Sequence, residues 1–278
     1  MKVLAVIPAR LASTRLPNKP LKDIGGQTMI ERAWRQVMKS SVSRAVISTD
    51  NQEIFDLAKN FGAEVVMTDP ALPNGSARVG ATVNLIQDNF DLVLNVQGDM
   101  PFVSPQLIDQ LIEFHSVNES FGMATAATPI YAEEDFLSNS VVKVVVGRGA
   151  QGLYFSRSPI PFSRDGLRIS EEDMRVISTL DGRLNKYQVK NPVESEYAFG
   201  FKHFGIYSFR TDVLKLFENF SNATILSKIE NLEQLFLLEQ GVRIGVTIVD
   251  YSVVKDSIEV DTQADLEKAI TQVTSNAV

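Results

Sequence analysis

The fold is decided by an apolar run, VLAVI at residues 3–7, which is followed directly by PARLASTRLPNKP at residues 8–20. An apolar run of this length that ends at a proline predicts a strand covered on both faces. The stretch after it contains three prolines and no helical period, which predicts a loop. Ligands of open α/β sheets bind beyond the carboxyl ends of the strands. This loop is therefore the first place to look for function.

Strand and helix patterns alternate from this loop onward. Further strands are predicted at 45–48, 64–67 and 92–96, and helices at 28–39, 54–61 and 77–88 and from Ser104-Pro105 onward. This alternation predicts an α/β fold whose Rossmann-like, mostly parallel sheet is flanked by helices and joined by right-handed crossovers.

The later part of the chain has a different pattern. Strands are predicted at 123–129, 141–146, 153–155, 203–209 and 243–249, a helix at 229–239, and a final helix behind the capping box at 262–265. The strands at 141–146 and 153–155 form a predicted hairpin, so we expect the sheet to become mixed. Residues 163–196 are polar and charged, with a short helix capped at 170–173, and they are a candidate lid, excursion or dimer arm.

Composition narrows the class of protein. The chain has 278 residues, 44% hydrophobic and 22% charged, which is typical of one globular domain or of one large domain with a smaller lobe. It has no cysteine, which excludes disulfide scaffolds, thiolate zinc sites and cysteine nucleophiles. The net charge of −7 argues against a general nucleic-acid binder. No apolar run approaches the roughly 20 residues of a membrane span, so we expect a cytoplasmic protein without a membrane partner.

The loop at residues 8–20 concentrates positive charge in an otherwise acidic protein. It contains Arg10, Arg15 and Lys19. Arginine offers forked donors to phosphate oxygens and lysine offers a compact charge, so the three together suit a triphosphate. The alternative is a solvated surface loop with scattered charges. The position after the first strand favours phosphate binding.

Two aspartates stand at strand ends far apart in the sequence. Asp99 follows the strand at 92–96, and Asp261 precedes the last helix. They form a candidate pair of Mg²⁺ ligands, because Mg²⁺ takes one or two carboxylates together with substrate phosphates. Alternatively, Asp99 is a turn former and Asp261 a helix-entry residue. Gln97 suits recognition of a nucleobase or sugar edge, or else is a buried amide that serves the backbone.

Six motifs then identify a family. They are PARxxSTRLPxKP at 8–20, NVQGD at 95–99, YFSRSPIP at 154–161, HFGIY at 203–207, NLEQL at 231–235 and VDT at 260–262. In this order they resemble the CMP-sugar synthetases, specifically the 3-deoxy-manno-octulosonate (Kdo) cytidylyltransferases, along almost the whole chain. A single motif would be weak, but the ordered set is specific.

The resemblance implies a nucleotidyltransferase (GT-A-like) fold with a smaller dimerisation and sugar-binding lobe. It implies one nucleotidyltransferase domain over 1–278, with a nucleotide-binding part at 1–115, a sugar-binding and dimerisation part at 123–249, and a C-terminal part at 250–278 that carries the metal-binding Asp261 and a helix. The implied reaction joins CTP to an acidic eight-carbon sugar, with release of pyrophosphate, for lipopolysaccharide synthesis. The family is usually homodimeric.

The resemblance also assigns roles to individual residues. The implied CTP-binding residues are Ala9, Arg10, Ser13, Arg15, Lys19, Ser76, Arg78 and Gln97. The implied sugar-binding residues are Gln97, Arg157, His203, Tyr207, Glu233 and Gln234. The implied catalytic residues are Arg10, Arg15, Lys19 and Asp99, and the implied Mg²⁺ ligands are Asp99 and Asp261.

Two acidic residues of the family pattern are missing. Ala77 and Met100 stand where the family carries acidic side chains, and the segment 163–196 is longer than usual. From these departures we expect a variant acceptor such as 8-amino-Kdo. Two other readings stay open. One is a nucleotidyltransferase for another sugar or sugar 1-phosphate, and the other is a non-catalytic nucleotide-binding regulator on the same fold.

Overall fold

Strands and helices alternate through the first part of the computed structural model, which describes residues 1–13, 15–180, 183–184, 197–217 and 224–275. For 179–180 and 183–184 it describes the main chain only. The strands are β1 (Val3–Ala9), β2 (Arg44–Thr49), β3 (Glu64–Met67), β4 (Leu92–Val96), β5 (Met123–Ile130), β6 (Lys143–Gly147), β7 (Gln151–Ser156), β8 (Ile169–Ser170), β9 (Thr179–Leu180), β10 (Arg183–Leu184), β11 (Tyr197–Ala198), β12 (Gly200–Phe209) and β13 (Ile244–Ile248). The α-helices are α1 (Met29–Val37), α2 (Gln52–Asn60), α3 (Gly75–Ile86), α4 (Pro105–Val117), α5 (Glu133–Leu137), α6 (Glu171–Ser178), α7 (Thr211–Leu214), α8 (Ile225–Glu230), α9 (Gln234–Glu239), α10 (Tyr251–Val254) and α11 (Gln263–Ser275).

The chain divides into two compact units. The first unit combines Met1–Asp109 with Asp256–Val278, and the second unit is Gln110–Lys255. The C-terminal segment therefore belongs to the unit that contains β1 and the loop at 8–20. The functional division at 1–115, 123–249 and 250–278 stays a prediction.

The sheet of the first unit is parallel. Its strands run in the order β3-β2-β1-β4, and each neighbouring pair is parallel. β1 and β4 are neighbours, with Val3 opposite Leu92 and Val6 opposite Asn95. The segments that follow these two strands therefore leave the sheet at the same edge.

A small apolar cluster fixes the loop at residues 8–20 to the C-terminal segment. Leu16 is 3% exposed and packs in one cluster with Met29 at the start of α1, with Val260, and with Leu266 and Ala269 of α11. Burial of such side chains contributes about 1.5–3 kcal/mol each. Because Leu16 follows Arg15 and Val260 precedes Asp261, this packing brings two distant candidate residues close together.

The sheet of the second unit is mixed, as expected. Its strands run in the order β12-β5-β13-β7-β6. β5 pairs parallel with β13 and antiparallel with β12, and β6 and β7 form the predicted hairpin. The fold class predicted from the sequence, an α/β fold with a mostly parallel, mixed sheet flanked by helices, is confirmed.

Helix ends follow the predicted capping residues. Ser170 accepts a hydrogen bond from the main chain of Asp173, whose carboxylate accepts one from Ser170 in return, and this box starts α6. Thr262 and Asp265 make the same exchange before α11. Gly62 ends α2 with a φ of 86°, a conformation that glycine adopts without strain. Local side-chain chemistry therefore predicted these boundaries.

The single helix predicted over 229–239 is wrong. The structure has two short helices there, α8 and α9, separated at Asn231. Asn231 has a φ of 53° and its N–H bonds to the carbonyl of Ser227, which ends α8 with a left-handed residue. Asparagine tolerates this conformation better than most residues, so the apolar pattern continues across a real break.

Two further expectations concern the polar segment 163–196 and the absence of membrane-spanning helices. Part of the polar segment 163–196, the candidate lid, excursion or dimer arm, lies outside the described residues. Within the described ranges, no helix combines the length and the apolar character that a membrane crossing requires.

Candidate active site

The loop after β1 brings a lysine between two aspartates. Lys19 Nζ donates to Asp99 Oδ2 at 2.6 Å and to Asp261 Oδ1 at 2.9 Å. Arg15 Nη2 lies 3.0 Å from Asp261 Oδ2. Lys19 therefore contacts both aspartates that were predicted to share its site, and Arg15 contacts one of them.

Main-chain geometry holds the two aspartates in this arrangement. Gly98 comes so close to the first strand that a Cβ at this position would lie 2.9 Å from the carbonyl oxygen of Pro8. The main-chain N–H of Val260 donates to the carbonyl of Asp99 at 2.9 Å. Asp99 and Asp261 are therefore placed by the main chain around Gly98 and Val260, which brings both carboxylates to Lys19.

The two carboxylates change the pKa of Lys19. Burial acts to lower the pKa of the Lys19 ammonium, but Asp99 and Asp261 outweigh it and raise the pKa above its ordinary value. Lys19 is 17% exposed and Asp261 35%, whereas Arg15 is 66% exposed. A protonated Lys19 at the partly open end of the sheet suits the binding of an anion.

The two carboxylates also fit a divalent cation. One oxygen from each of Asp99 and Asp261 lies within hydrogen-bond reach of the same nitrogen, so both face one point. Among the described residues, no group of three or more histidine, cysteine, aspartate or glutamate side chains could hold a metal ion. Two hard oxygen ligands completed by water and phosphate are the usual environment of Mg²⁺, and they are unlike a zinc site.

A chain of amides and hydroxyls continues the site along the sheet edge. Gln97 Nε2 donates to Asn95 Oδ1 at 3.3 Å, and Asn95 Nδ2 donates to Ser76 Oγ at 3.2 Å. Ser76 lies in the first turn of α3, where Asn74 caps the helix by accepting from the main chain of Ala77. Gln97 is therefore both a contact of the buried Asn95 amide and a half-buried group at the sheet edge, and its recognition of a nucleobase or sugar stays a prediction.

Arg78 is placed differently from the prediction. It is 3% exposed, and its guanidinium donates to Asp50 Oδ2 at 2.7 Å and to Thr68 Oγ1 at 2.6 Å. Thr68 and Ser48 extend this buried network between α3, β2 and the end of β3. The geometry favours a structural role that fixes the start of α3, and direct contact with CTP stays a prediction that the geometry does not favour.

The other nucleotide candidates lie around the same loop. Arg10 is exposed, whereas Ala9 ends β1 and is buried. Ser13 Oγ accepts from the main chain of Leu16 at 3.3 Å and shapes the loop. Their predicted contacts with CTP are not tested by these positions.

Three sugar candidates of the second unit, Tyr207, His203 and Gln234, are joined by two contacts. Tyr207 donates its hydroxyl hydrogen to Gln234 Oε1 at 3.0 Å, and both side chains are buried. The ring of His203 stacks on Tyr207 with centroids 5.6 Å apart. Glu233 directly precedes α9 and is half-buried. The buried Gln234 Nε2 has no partner among the described residues, which leaves a donor to satisfy.

Burial keeps His203 neutral. Desolvation lowers the pKa of His203 to about 3, so it carries no charge near neutral pH. Thr125 donates its hydroxyl to main-chain carbonyls, so it accepts from the N–H of His203 Nε2 at 2.9 Å. His203 therefore acts as a fixed neutral hydrogen-bonding group.

Arg157 is anchored at the end of the β6–β7 hairpin. Its Nε donates to the carbonyl of Glu230 at 3.1 Å and its Nη1 to the carbonyl of Asn139 at 3.2 Å. These bonds fix the plane of the guanidinium, and within the part of the chain that the structure describes they leave Nη2 for a further acceptor. An arginine held in this way is suited to a carboxylate.

Sequence reasoning missed three charged residues that support these groups. Asp50 pairs with Arg78, while Lys143 and Glu230 contact Arg157. Lys143 had a visible signal, because it interrupts the valines of VVKVVV at 141–146. Glu230 had no such signal, because the sequence pattern predicted one helix over 229–239 and so concealed that α8 ends at Glu230.

The missing acidic residues of the family pattern occupy buried positions. Ala77 is 6% and Met100 1% exposed. The main-chain N–H of Met100 bonds to the carbonyl of Gln97, so Met100 shapes the turn after β4. Among the described residues, neither apolar side chain lies on an open surface.

Similarity to known proteins extends over the whole chain. The sequence model of the cytidylyltransferase family matches residues 4–244. The chain is 38% identical to a 3-deoxy-manno-octulosonate cytidylyltransferase of Cellvibrio japonicus over 271 residues, which cover 96% of each chain. It is 36% identical to the protein of the same name in Trichlorobacter lovleyi over 270 residues, 97% of each chain.

A solved structure agrees with the sequence matches. The fold is similar to that of a CMP-2-keto-3-deoxy-manno-octonic acid synthetase complexed with CTP, with a TM-score of 0.80 and 30% identity. The similarity covers 99% of this chain and 100% of the other. From the motifs, the fold and these matches, the chain belongs to the cytidylyltransferase family and is a nucleotidyltransferase.

Proposed function

We propose that this enzyme transfers the cytidylyl group of CTP to Kdo and releases pyrophosphate. The observation that carries the proposal is the convergence of Lys19, Asp99 and Asp261 beyond the carboxyl ends of the parallel strands β1 and β4, where Asp261 arrives from the segment before α11. The full-length relatives named for this reaction support the choice of nucleotide and sugar. The product would be CMP-Kdo, an activated sugar for lipopolysaccharide synthesis in the cytoplasm.

The reaction forms one oxygen–phosphorus bond and breaks another. The anomeric hydroxyl of the sugar attacks the α-phosphorus of CTP and gives up its proton to solvent. The bond between the α-phosphorus and the oxygen that bridges to the β-phosphate breaks, and pyrophosphate leaves with its electrons. We assign Arg10, Arg15 and Lys19 to the triphosphate, where they orient it and balance its charge. A divalent ion, proposed as Mg²⁺ on Asp99 and Asp261, would supply further charge stabilisation when bound.

The remaining CTP contacts are proposed along the same edge. Ala9, Ser13, Ser76 and Gln97 would hold the nucleoside and the loop around it. Gln97 suits a nucleobase edge because it carries both a donor and an acceptor. Arg78 would act indirectly by fixing α3.

The sugar is assigned to residues of the second unit. Arg157 would bind the carboxylate, since its guanidinium plane is fixed and Nη2 is left over. His203, Tyr207, Glu233 and Gln234 would bind hydroxyls. The unpartnered donor of Gln234 supports this assignment, because a ligand hydroxyl would satisfy it.

A product assay tests the proposal. The full chain is incubated with Kdo, Mg²⁺ and each of CTP, UTP, ATP and GTP, and the product is identified by mass. We expect CMP-Kdo and pyrophosphate with CTP. In a parallel incubation with sugar 1-phosphates and UTP or dTTP, turnover would favour the other nucleotidyltransferase reaction. Binding of CTP without any product in either incubation would favour a regulator.

Kdo itself is the acceptor that we propose. The expectation of 8-amino-Kdo was based on Ala77, on Met100 and on the longer segment 163–196. Ala77 and Met100 are buried residues of the first unit, and part of the segment lies outside the described residues. Apart from Gln97, the residues assigned to the sugar belong to the second unit. A kcat/KM with 8-amino-Kdo well above that with Kdo would reverse this choice.

Assembly as a homodimer is also proposed. The second unit exposes large apolar side chains, among them Phe162 at 87%, Leu167 at 78% and Ile229 at 75%. Apolar side chains at this exposure suit a subunit contact. Light scattering on the purified chain would give twice the monomer mass, and a monomer at micromolar concentration would contradict the proposal.

A further inference from the structure

Both main-chain polar groups of Arg157 are held by charged side chains. The N–H of Arg157 donates to Glu230 Oε2 at 3.0 Å. The carbonyl of Arg157 accepts from Lys143 Nζ at 2.6 Å. A negative group therefore holds one side of this residue and a positive group the other, and hydrogen bonds to charged groups are about twice as strong as neutral ones.

All three donors of Lys143 are used in holding main-chain carbonyls, including that of Arg157. It is fully buried, and its ammonium donates to the carbonyls of Ser138, Val141 and Arg157 at 2.7, 2.7 and 2.6 Å. An ammonium has three donors, so the three carbonyls use all of them and require the protonated form. Burial and Arg157 lower the pKa of Lys143, and Glu230 partly opposes this. A buried charge is costly, and an apolar side chain would fill this place in β6 without the cost.

Glu230 holds the same turn from the end of α8. Besides the N–H of Arg157, its carboxylate accepts from the hydroxyl of Ser156, and its carbonyl accepts from Arg157 Nε. Ser156 lies directly opposite Lys143 in the β6–β7 hairpin. The two charged residues therefore fix the main chain and the side chain of Arg157 together.

The local charge balance leaves this cluster positive. Lys143 and Arg157 carry two positive charges, and Glu230 carries one negative charge. The hydrogens of Arg157 Nη2 therefore belong to a half-buried side chain in a cluster with an excess positive charge. This arrangement is suited to a carboxylate ligand.

We infer that Lys143 and Glu230 are positioning residues for the acidic acceptor, because they hold Arg157 in the orientation in which it binds the sugar carboxylate. The inference rests on the proposed function, in which Arg157 is the carboxylate ligand. It predicts that loss of either residue weakens acceptor binding and leaves CTP binding unchanged. A residue needed only for folding would lower stability and affect both substrates.

The first test removes the ammonium and keeps the volume. In the full chain, Lys143→Met should raise the KM for Kdo at least about tenfold, the scale of one lost hydrogen bond to a charged group. The KM for CTP should stay within about twofold of wild type, the resolution of the comparison. The matched control is Lys228→Met, which removes the same charge from an exposed position on α8. An unchanged KM for Kdo, or equal increases for both substrates, would overturn the inference.

A double variant separates positioning from general support. In an Arg157→Ala background, Lys143→Met should have little further effect on the KM for Kdo, because the group through which it acts is gone. Multiplied effects of the two substitutions would overturn the inference. If wild type makes CMP-Kdo but Arg157→Ala has a normal KM for Kdo, the assignment of Arg157 is wrong, and absence of CMP-Kdo from wild type would refute the proposed function itself.

Glu230→Gln decides the matter should Lys143→Met fail to fold. Glutamine keeps the shape of Glu230 and loses its charge at a half-buried position. We expect a raised KM for Kdo, a normal KM for CTP and an unchanged melting temperature. The control is Glu239→Gln at an exposed position at the end of α9. A KM for Kdo equal to that of the control would overturn the inference.

Discussion

Two clusters in the first unit each pair a positive side chain with at least one carboxylate, but they serve different purposes. Lys19 contacts Asp99 and Asp261 at the partly open end of the sheet, whereas Arg78 contacts Asp50 in a buried network. Lys19 is 17% exposed and Arg78 only 3%. The open cluster places one cation between two carboxylates and lets solvent reach them, so its partners can be exchanged for a ligand. The closed cluster matches one cation to one carboxylate and a hydroxyl, so it holds the fold.

The sharpest test of this difference is Asp99→Asn. We expect kcat to fall at least about 100-fold, the scale seen when a single electrostatic contact to a transition state is removed. The melting temperature should not fall, because Asp261 still pairs with Lys19. Pyrophosphate release with CTP and Kdo measures the first quantity, and thermal unfolding measures the second.

The control for Asp99 is Asp56→Asn, an exposed carboxylate on α2. It should leave kcat and stability unchanged. Near-normal kcat in Asp99→Asn would mean that the open cluster is an ordinary salt bridge, and the comparison between the clusters would then fail.

Arg78→Met should have the opposite effect. Removing one partner of a buried pair costs about 3–5 kcal/mol, because the other charge is left unpaired. Asp50 is 15% exposed, which places the cost near the lower end of this range. We expect a loss of this size in the free energy of unfolding, measured with urea, while the KM for CTP of the folded variant stays close to wild type.

A matched exposed pair calibrates that loss. Arg35 pairs with Glu31 one turn away on α1 and is 46% exposed, so Arg35→Met should cost only about 0.3–0.5 kcal/mol. A large rise in the KM for CTP in Arg78→Met, without loss of stability, would return Arg78 to the set of CTP ligands.

The open cluster was easier to predict from the sequence than the closed one. Lys19 and Asp99 follow neighbouring strands, and parallel topology alone brings such positions to one edge. Asp261 joined them through the packing of Leu16 on Val260 and through the hydrogen bond from Val260 to Asp99, neither of which leaves a local sequence signal.

Burial of charge was the property that sequence reasoning did not foresee. Arg78 was assigned to CTP by the family resemblance, and its burial was not expected because charged residues are usually exposed. Its partner Asp50 lies 28 residues earlier in the chain. Lys143 was passed over for the same reason, although its valine neighbours indicate a covered strand. The break at Asn231 was missed because apolar periodicity does not report the sign of φ.

Lys19→Met tests whether the open cluster exchanges partners. The KM for CTP should rise about tenfold or more, because hydrogen bonds to charged groups contribute about 1.5–3 kcal/mol. Removal of the ammonium also leaves Asp99 and Asp261 facing each other. Added Mg²⁺ should therefore raise the melting temperature of Lys19→Met more than that of wild type. An equal response of both proteins to Mg²⁺ would show that these carboxylates do not form the cation site.

The smallest expected effect belongs to Arg15, the outermost member of the open cluster. Its side chain is 66% exposed, so the ion pair with Asp261 should contribute less than about 1 kcal/mol to the free energy of unfolding and should weaken with added salt. Arg15→Met should raise the KM for CTP by less than Lys19→Met does, because the lost charge was already shared with solvent. If Arg15→Met has the larger effect on the KM for CTP, the exposure of a cation in the free enzyme does not predict how much it contributes to CTP binding. In that case the loop must close over the triphosphate, so that a cation exposed in the free enzyme becomes buried in the complex.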